Sequence, residues 1–119
     1  MAIQPTAAFV TLASDRFDLL VSFYRALLDQ LPQPYTPQRY AEFTLPGLKL
    51  AVFKPRQADE FDGPAGAMSL CLEVADLKGA IATLTQLGYP PPGPIIQASH
   101  GQEIYAYDPA GNRLILHQA

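Results

Sequence analysis

Glu73, Glu103 and His117 are the residues of this 119-residue sequence whose types most directly suggest chemistry. A histidine beside carboxylates is a combination that can hold a divalent cation. His117 with one or both glutamates would make an unorthodox metal site, and His100 stands in the turn just before Glu103. Cys71, the single cysteine, could act as a nucleophile through its thiolate. No residue is placed by the sequence to activate it, and small cysteines commonly serve as packing residues. Tyr105 and Tyr107 offer rings for stacking and hydroxyls for donation, or equally the lining of a dimer interface.

These side chains act together only if the elements carrying them share one surface. Alternation along the strands supplies that surface, because successive side chains point to opposite faces. In Ala8–Leu12, Val10 and Leu12 are core, leaving Phe9 and Thr11, with Ala13 beyond, on the other face. In Leu48–Phe53, Leu50 and Val52 are core and Lys49, Ala51 and Phe53 face away. The second half repeats the arrangement: Leu70, Leu72 and Val74 inward, with Ser69, Cys71 and Glu73 outward. Ile104, Ala106, Leu114 and Leu116 are core, which puts Glu103, Tyr105, Tyr107, Arg113, Ile115 and His117 on the opposite face. The expected sheet has one helix-covered face and one mixed face of aromatic and polar residues. A surface this apolar suits the wall of a pocket or a subunit interface.

The elements themselves are written twice. A strand, an amphipathic helix from Asp15 to Leu31, and the strands Tyr40–Leu45 and Leu48–Phe53 around Pro46-Gly47 form the first copy. The second has strand Ser69–Val74, a helix from Asp76 to Leu87, and strands Glu103–Tyr107 and Arg113–His117 around Asp108-Pro109-Ala110-Gly111-Asn112. Phe17, Leu20, Val21, Tyr24, Leu27 and Leu28 recur at helical spacing, as do Leu77, Ala80, Ile81, Leu84 and Leu87. Asp15 and Asp76 are the expected N-caps, with Pro32 and Pro34 ending the first helix and Gly88 the second. The chain is read as one domain, 1–119, with module one at 7–54, a linker at 55–67 and module two at 68–118. Phe61 is a candidate anchor within the linker.

Composition excludes several classes of function. Nearly half the residues are hydrophobic, which disfavours disorder. Eight Lys and Arg residues are scattered without a basic stripe and the net charge is −3, so nucleic-acid binding is not expected. No apolar run approaches the roughly 20 residues of a membrane span. The first residues lack the basic-then-apolar order of a signal peptide. With one cysteine, no internal disulfide can form, which suits a cytoplasmic location.

Ser22-Phe23-Tyr24-Arg25-Ala26-Leu27-Leu28, the entry Leu72-Glu73-Val74-Ala75-Asp76-Leu77 and the turn Asp108-Pro109-Ala110-Gly111-Asn112-Arg113-Leu114 appear in that order on the duplicated unit. Together they resemble the vicinal oxygen chelate superfamily of glyoxalases, bleomycin-resistance proteins and extradiol dioxygenases, from about Ala8 to His117. The resemblance implies an α+β fold: two tandem βαβββ modules forming a cupped mixed sheet, helices on the outer face, around a small-molecule cavity. In metal-dependent members four strands each supply a ligand to a divalent ion. Those positions fall on Phe9, Ala51, Ser69 and Ile115 here, where His, Glu, Asp or Gln would be required. Neither a metal nor another cofactor is therefore expected.

Three functions follow. The favoured one is a protein that binds a small organic molecule, as bleomycin-resistance proteins do. Phe9, Phe53, Tyr105, Tyr107 and Ile115 would provide apolar contact and Lys49, Glu73, Glu103 and Arg113 polar specificity, with Thr11, Ala51, Ser69, Cys71 and His117 on the same face. The mild acidity is compatible with a cationic ligand. The alternatives are a metal-dependent lyase, isomerase or dioxygenase with atypical ligands, and a non-enzymatic dimeric interaction module. A homodimer is expected from the resemblance, side by side or with modules exchanged.

Overall fold

The structure is a computed structural model that describes residues 4, 6–56, 68–98 and 101–119. Phe61, His100 and most of the expected linker lie outside the described residues. The backbone divides into two compact units, 1–62 and 63–119. Module one runs β1 (Phe9–Ala13), α1 (Phe17–Leu28), β2 (Tyr35–Thr36), β3 (Tyr40–Leu45) and β4 (Leu48–Phe53). Module two repeats it as β5 (Leu70–Glu73), α2 (Leu77–Gln86), β6 (Ile96–Ala98), β7 (Gly101–Tyr107) and β8 (Arg113–Gln118). Both are βαβββ units, as expected. The short strands β2 and β6 have too little alternation to be read from the residues alone.

Each module holds a four-stranded mixed sheet, in the orders β1-β4-β3-β2 and β5-β8-β7-β6. The first strand pairs parallel with the last, β1 with β4 and β5 with β8, and the remaining pairs are antiparallel. A parallel pair needs a crossover, and in each module the helix provides part of it. Helix α1 packs against β4 and α2 against β8. The alternation explains the core: Phe43, Leu50 and Val52 are sealed from solvent in module one with Phe17, Leu20 and Tyr24 of α1. The Tyr24 and Phe43 rings are 6.4 Å apart. Module two buries Leu77 and Leu84 of α2 with Leu114 and Leu116. Burying one such side chain contributes about 1.5–3 kcal/mol, so these stripes dominate the packing of both units.

The helix ends are only partly those expected. Asp76 caps α2, its Oδ1 accepting from the Gly79 N–H at 3.0 Å. Gly88 follows the last turn with φ +92, a left-handed conformation that glycine adopts without a side-chain clash. Asp15 does not cap α1. Arg16 occupies the cap position with no side-chain cap bond, and the Ser14 hydroxyl accepts from the Arg16 N–H. Helix α1 also stops at Leu28, before either proline, because Asp29 turns left-handed at φ +49. Aspartate tolerates that conformation better than most residues, so the stop needs neither glycine nor proline.

Candidate ligand-binding faces

Strand register assembles the helix-free face of each sheet into three rows. In module one Phe9 lies beside Lys49 and Lys49 opposite Thr44. Thr11, Ala51 and Glu42 form the second row, and Ala13, Phe53 and Tyr40 the third. Module two matches it: Cys71, Ile115 and Tyr105 in one row, Glu73, His117 and Glu103 in the next. Arg113 opposite Tyr107 completes the set, with Ser69 one residue before β5 rather than inside it. All the sequence-selected residues therefore stand in these rows. Tyr40, Glu42 and Thr44 were missed, although counting back across Pro46-Gly47 from Leu48 would have found them, since Leu45 pairs with Leu48.

The module-one face is internally neutralised. Lys49 Nζ is 3.3 Å from Glu42 Oε2 and sits 5.6 Å from the centre of the Phe9 ring. The Glu42 side chain is only 11% exposed, and the Tyr40 hydroxyl donates to it at 2.8 Å. Burial, then the bond to Glu42 and its charge, raise the Tyr40 pKa, so the phenol stays protonated. Ala51 is buried.

Module two distributes its charges differently. Arg113 Nε donates to Ser69 Oγ at 2.5 Å, and the guanidinium carbon lies 5.6 Å from the centre of the Tyr105 ring. Tyr105 and Tyr107 are 39% and 40% exposed. Four residues along β8, His117 Nδ1 approaches the two Glu73 oxygens at 2.6 and 2.9 Å. A carboxylate partner puts the proton on Nδ1. The Ala119 N–H also donates to Glu73, at 3.1 Å, so the glutamate ties the end of β8 to β5. His117 is buried, contrary to the solvated position usual for a residue near a strand end. Cys71 is exposed overall, but partial desolvation of its sulfur first, then the charges of Glu73 and Glu103, push its pKa up. A thiol held in its neutral form is a poor nucleophile.

A family model described as the Glyoxalase/Bleomycin resistance protein/Dioxygenase superfamily matches residues 6–116. The chain belongs to that superfamily. Solved structures agree on the fold. A glyoxalase/bleomycin resistance protein from Catenulispora acidiphila aligns at TM-score 0.71 and 21% identity, over 95% of this chain and 97% of that one. Lactoylglutathione lyase from Agrobacterium tumefaciens aligns at 0.73 and 19%, over 97% and 95%. A glyoxalase-related enzyme from Fulvimarina pelagi aligns at 0.75 and 20%, over 98% and 89%. No curated protein matches the sequence.

At the positions where the sequence resemblance would put the chelating members' ligands, the residues present do not suit a divalent ion. Phe9, Ala51 and Ile115 offer no donor atom. The Ser69 hydroxyl is neutral and already accepts from a guanidinium, whose charge would repel a cation. Among the described residues, which leave out His100, no three His, Cys, Asp or Glu side chains group as metal ligands. Among the described residues, no helix is long and apolar enough to cross a membrane. Two hollows, of about 440 and 510 Å³, border α1 in module one and share Ser22, Arg25 and Leu31. Neither is lined by a sequence-selected residue.

Proposed function

We propose that this member of the glyoxalase/bleomycin-resistance superfamily binds a small organic molecule on the helix-free faces of its modules, without a divalent ion. One observation carries the reading. Rings on these faces stay open to solvent, while the positions that the sequence resemblance assigns to metal ligands hold Phe9, Ala51, Ser69 and Ile115. Phe9, Tyr105 and Tyr107 each remain about two-fifths exposed, and two of the three lie beside a cation. Burying such rings against a ligand would provide affinity, and the neighbouring polar groups would orient it. The sequestration expected from the bleomycin-resistance resemblance needs no bond to be made or broken.

The test is a thermal-shift screen of a chemically broad library of anionic, neutral and cationic aromatic compounds, with metal content measured on the same protein. Saturable stabilisation by at least one compound in metal-free protein is expected. Silence across the whole library, or one equivalent of a tightly held transition metal, overturns the reading. Homodimerisation is part of the same proposal, supported by the exposed apolar side chains, Leu31 and Tyr35 among them. Sedimentation equilibrium checks it, and a monomer at high concentration sinks it.

A further inference from the structure

We infer that the module-two face takes an aromatic monocarboxylate, with Arg113 gripping the carboxylate and Tyr105, Tyr107 and Ile115 covering the ring system. This rests on the small-molecule reading above and names the ligand class.

Arg113 is the centre of the argument. Its Nε–H is committed to Ser69, which leaves the two terminal NH₂ groups as a fork. Among the described residues, no carboxylate lies within ion-pair distance of Arg113. A planar guanidinium with both terminal nitrogens available matches a carboxylate through two parallel hydrogen bonds, and such bonds are stronger than neutral ones. The arginine is also held in place on two sides, by the serine and by the Tyr105 ring, so little ordering is needed when an anion arrives.

The corresponding cation of module one shows what this arrangement lacks. Lys49 occupies the same place in its sheet, beside Phe9 as Arg113 is beside Ser69, but Glu42 satisfies it. The place of Glu42 is taken in module two by Tyr105. One substitution thus exchanges an internal counter-ion for an aromatic wall. The acids of this face, Glu73 and Glu103, stand four residues along their strands from the Arg113–Tyr107 row, about 13 Å at strand rise, and the nearer Asp108 carboxylate is buried and accepts from the Ala110 and Asn112 N–H groups. That spacing leaves room for a ring over Ile115 and disfavours a second anionic group at the far end.

Cinnamate, cinnamamide and cinnamylamine share one carbon skeleton and differ in charge, so titrating the three into the full chain tests the assignment. Isothermal calorimetry gives the affinity and ¹H–¹⁵N spectra locate the site. Cinnamate is expected to bind at least tenfold more tightly than either analogue, shifting the Arg113 Nε–H and the Tyr105 and Tyr107 amides. Arg113→Gln should weaken cinnamate at least tenfold and Arg113→Lys several-fold. Ser69→Ala should weaken it less while leaving the fold intact. Tighter binding of the amide or amine, or cinnamate binding indifferent to Arg113→Gln in protein whose spectrum remains native, overturns the anion assignment and leaves the small-molecule reading standing. No binding by any of the three, with hits elsewhere in the broad library, overturns this inference alone. Silence throughout overturns both.

Discussion

The two modules share one topology and one register, yet they have solved the problem of a charged sheet face in opposite ways. Module one closes its charges on themselves: Lys49 meets Glu42, Tyr40 donates to the same carboxylate, and Ala51 is buried between them in the central row. Module two keeps its charges apart. Arg113 is fixed by a neutral hydroxyl, while Glu73 is engaged by His117 at the other end of the face. The lesson is that duplication preserves a frame and frees the side chains on it. A neutralised face contributes to folding; a face with an oriented, uncompensated guanidinium is available to a ligand.

The β3–β4 and β7–β8 turns differ as much, and they give the largest expected effect. Pro46-Gly47 depends on backbone freedom, with Gly47 at φ +69. In the longer turn, the buried Asp108 carboxylate accepts from the N–H groups of Ala110 and Asn112, each at 2.9 Å, and from Asn112 Nδ2 at 2.8 Å. Asp108→Ala should therefore cost about 3 kcal/mol, because it removes a charged acceptor from several donors at once. Gly47→Ala should cost about 1 kcal/mol, the strain of placing alanine left-handed. Urea unfolding of both variants compares them, and equal losses would erase the distinction.

The next contrast separates stability from binding. Arg113→Gln should lower cinnamate affinity at least tenfold with little change in stability. Lys49→Gln should leave cinnamate affinity within about twofold yet reduce stability by roughly 0.5–1 kcal/mol, discounted because Lys49 is 44% exposed. The reverse pattern would mean that module one is the binding face. A sharper version makes the modules alike: Tyr105→Glu supplies Arg113 with the counter-ion that Lys49 has. About a tenfold loss of cinnamate affinity is expected, equivalent to roughly 1.4 kcal/mol, and calorimetry reads it.

The smallest effect concerns Cys71, the counterpart of Thr11 in module one. With its pKa raised by burial and by Glu73 and Glu103, the thiolate is scarce at neutral pH and becomes available only as pH rises past the ordinary thiol value. Iodoacetamide should modify Cys71 more slowly than an unhindered thiol at pH 8, with the rate still climbing at higher pH. Glu73→Gln should accelerate it about two- to threefold by removing one of the repelling charges. Alkylation as fast as that of an unhindered thiol at pH 8 would contradict the shift.

Much of the architecture was legible because it rests on local rules. Asp76 followed three residues later by Gly79 is a cap readable from spacing, and the structure uses it. Asp15 looked equivalent and is not, since the cap position falls on Arg16 and Ser14 takes the neighbouring N–H. Alternation placed Leu114 and Leu116 in the core correctly. It also put Ala51 and His117 on the outward face, and both are nevertheless buried. Parity states which way a side chain points, not what later covers it. Net charge is as silent on detail: −3 over the whole chain is compatible with a cationic ligand, while the anion proposed above rests on one arginine without a counter-ion among its described neighbours.

By itself, then, the sequence determined the duplicated βαβββ frame, most of the core stripes and the turns. Each is fixed by residue type and by spacing within one strand, helix or turn. Only the tertiary structure decided who meets whom: Arg113 with Ser69, and His117 with Glu73, each pair 44 residues apart. Both contacts cross the parallel pairing of β5 with β8. An antiparallel register is set by a short turn and can be counted. A parallel one is set through an intervening crossover by packing of the whole module, and no local signal records it. The frame was therefore written in the chain, while the oriented arginine that gives it a proposed use emerged only when the strands were laid side by side.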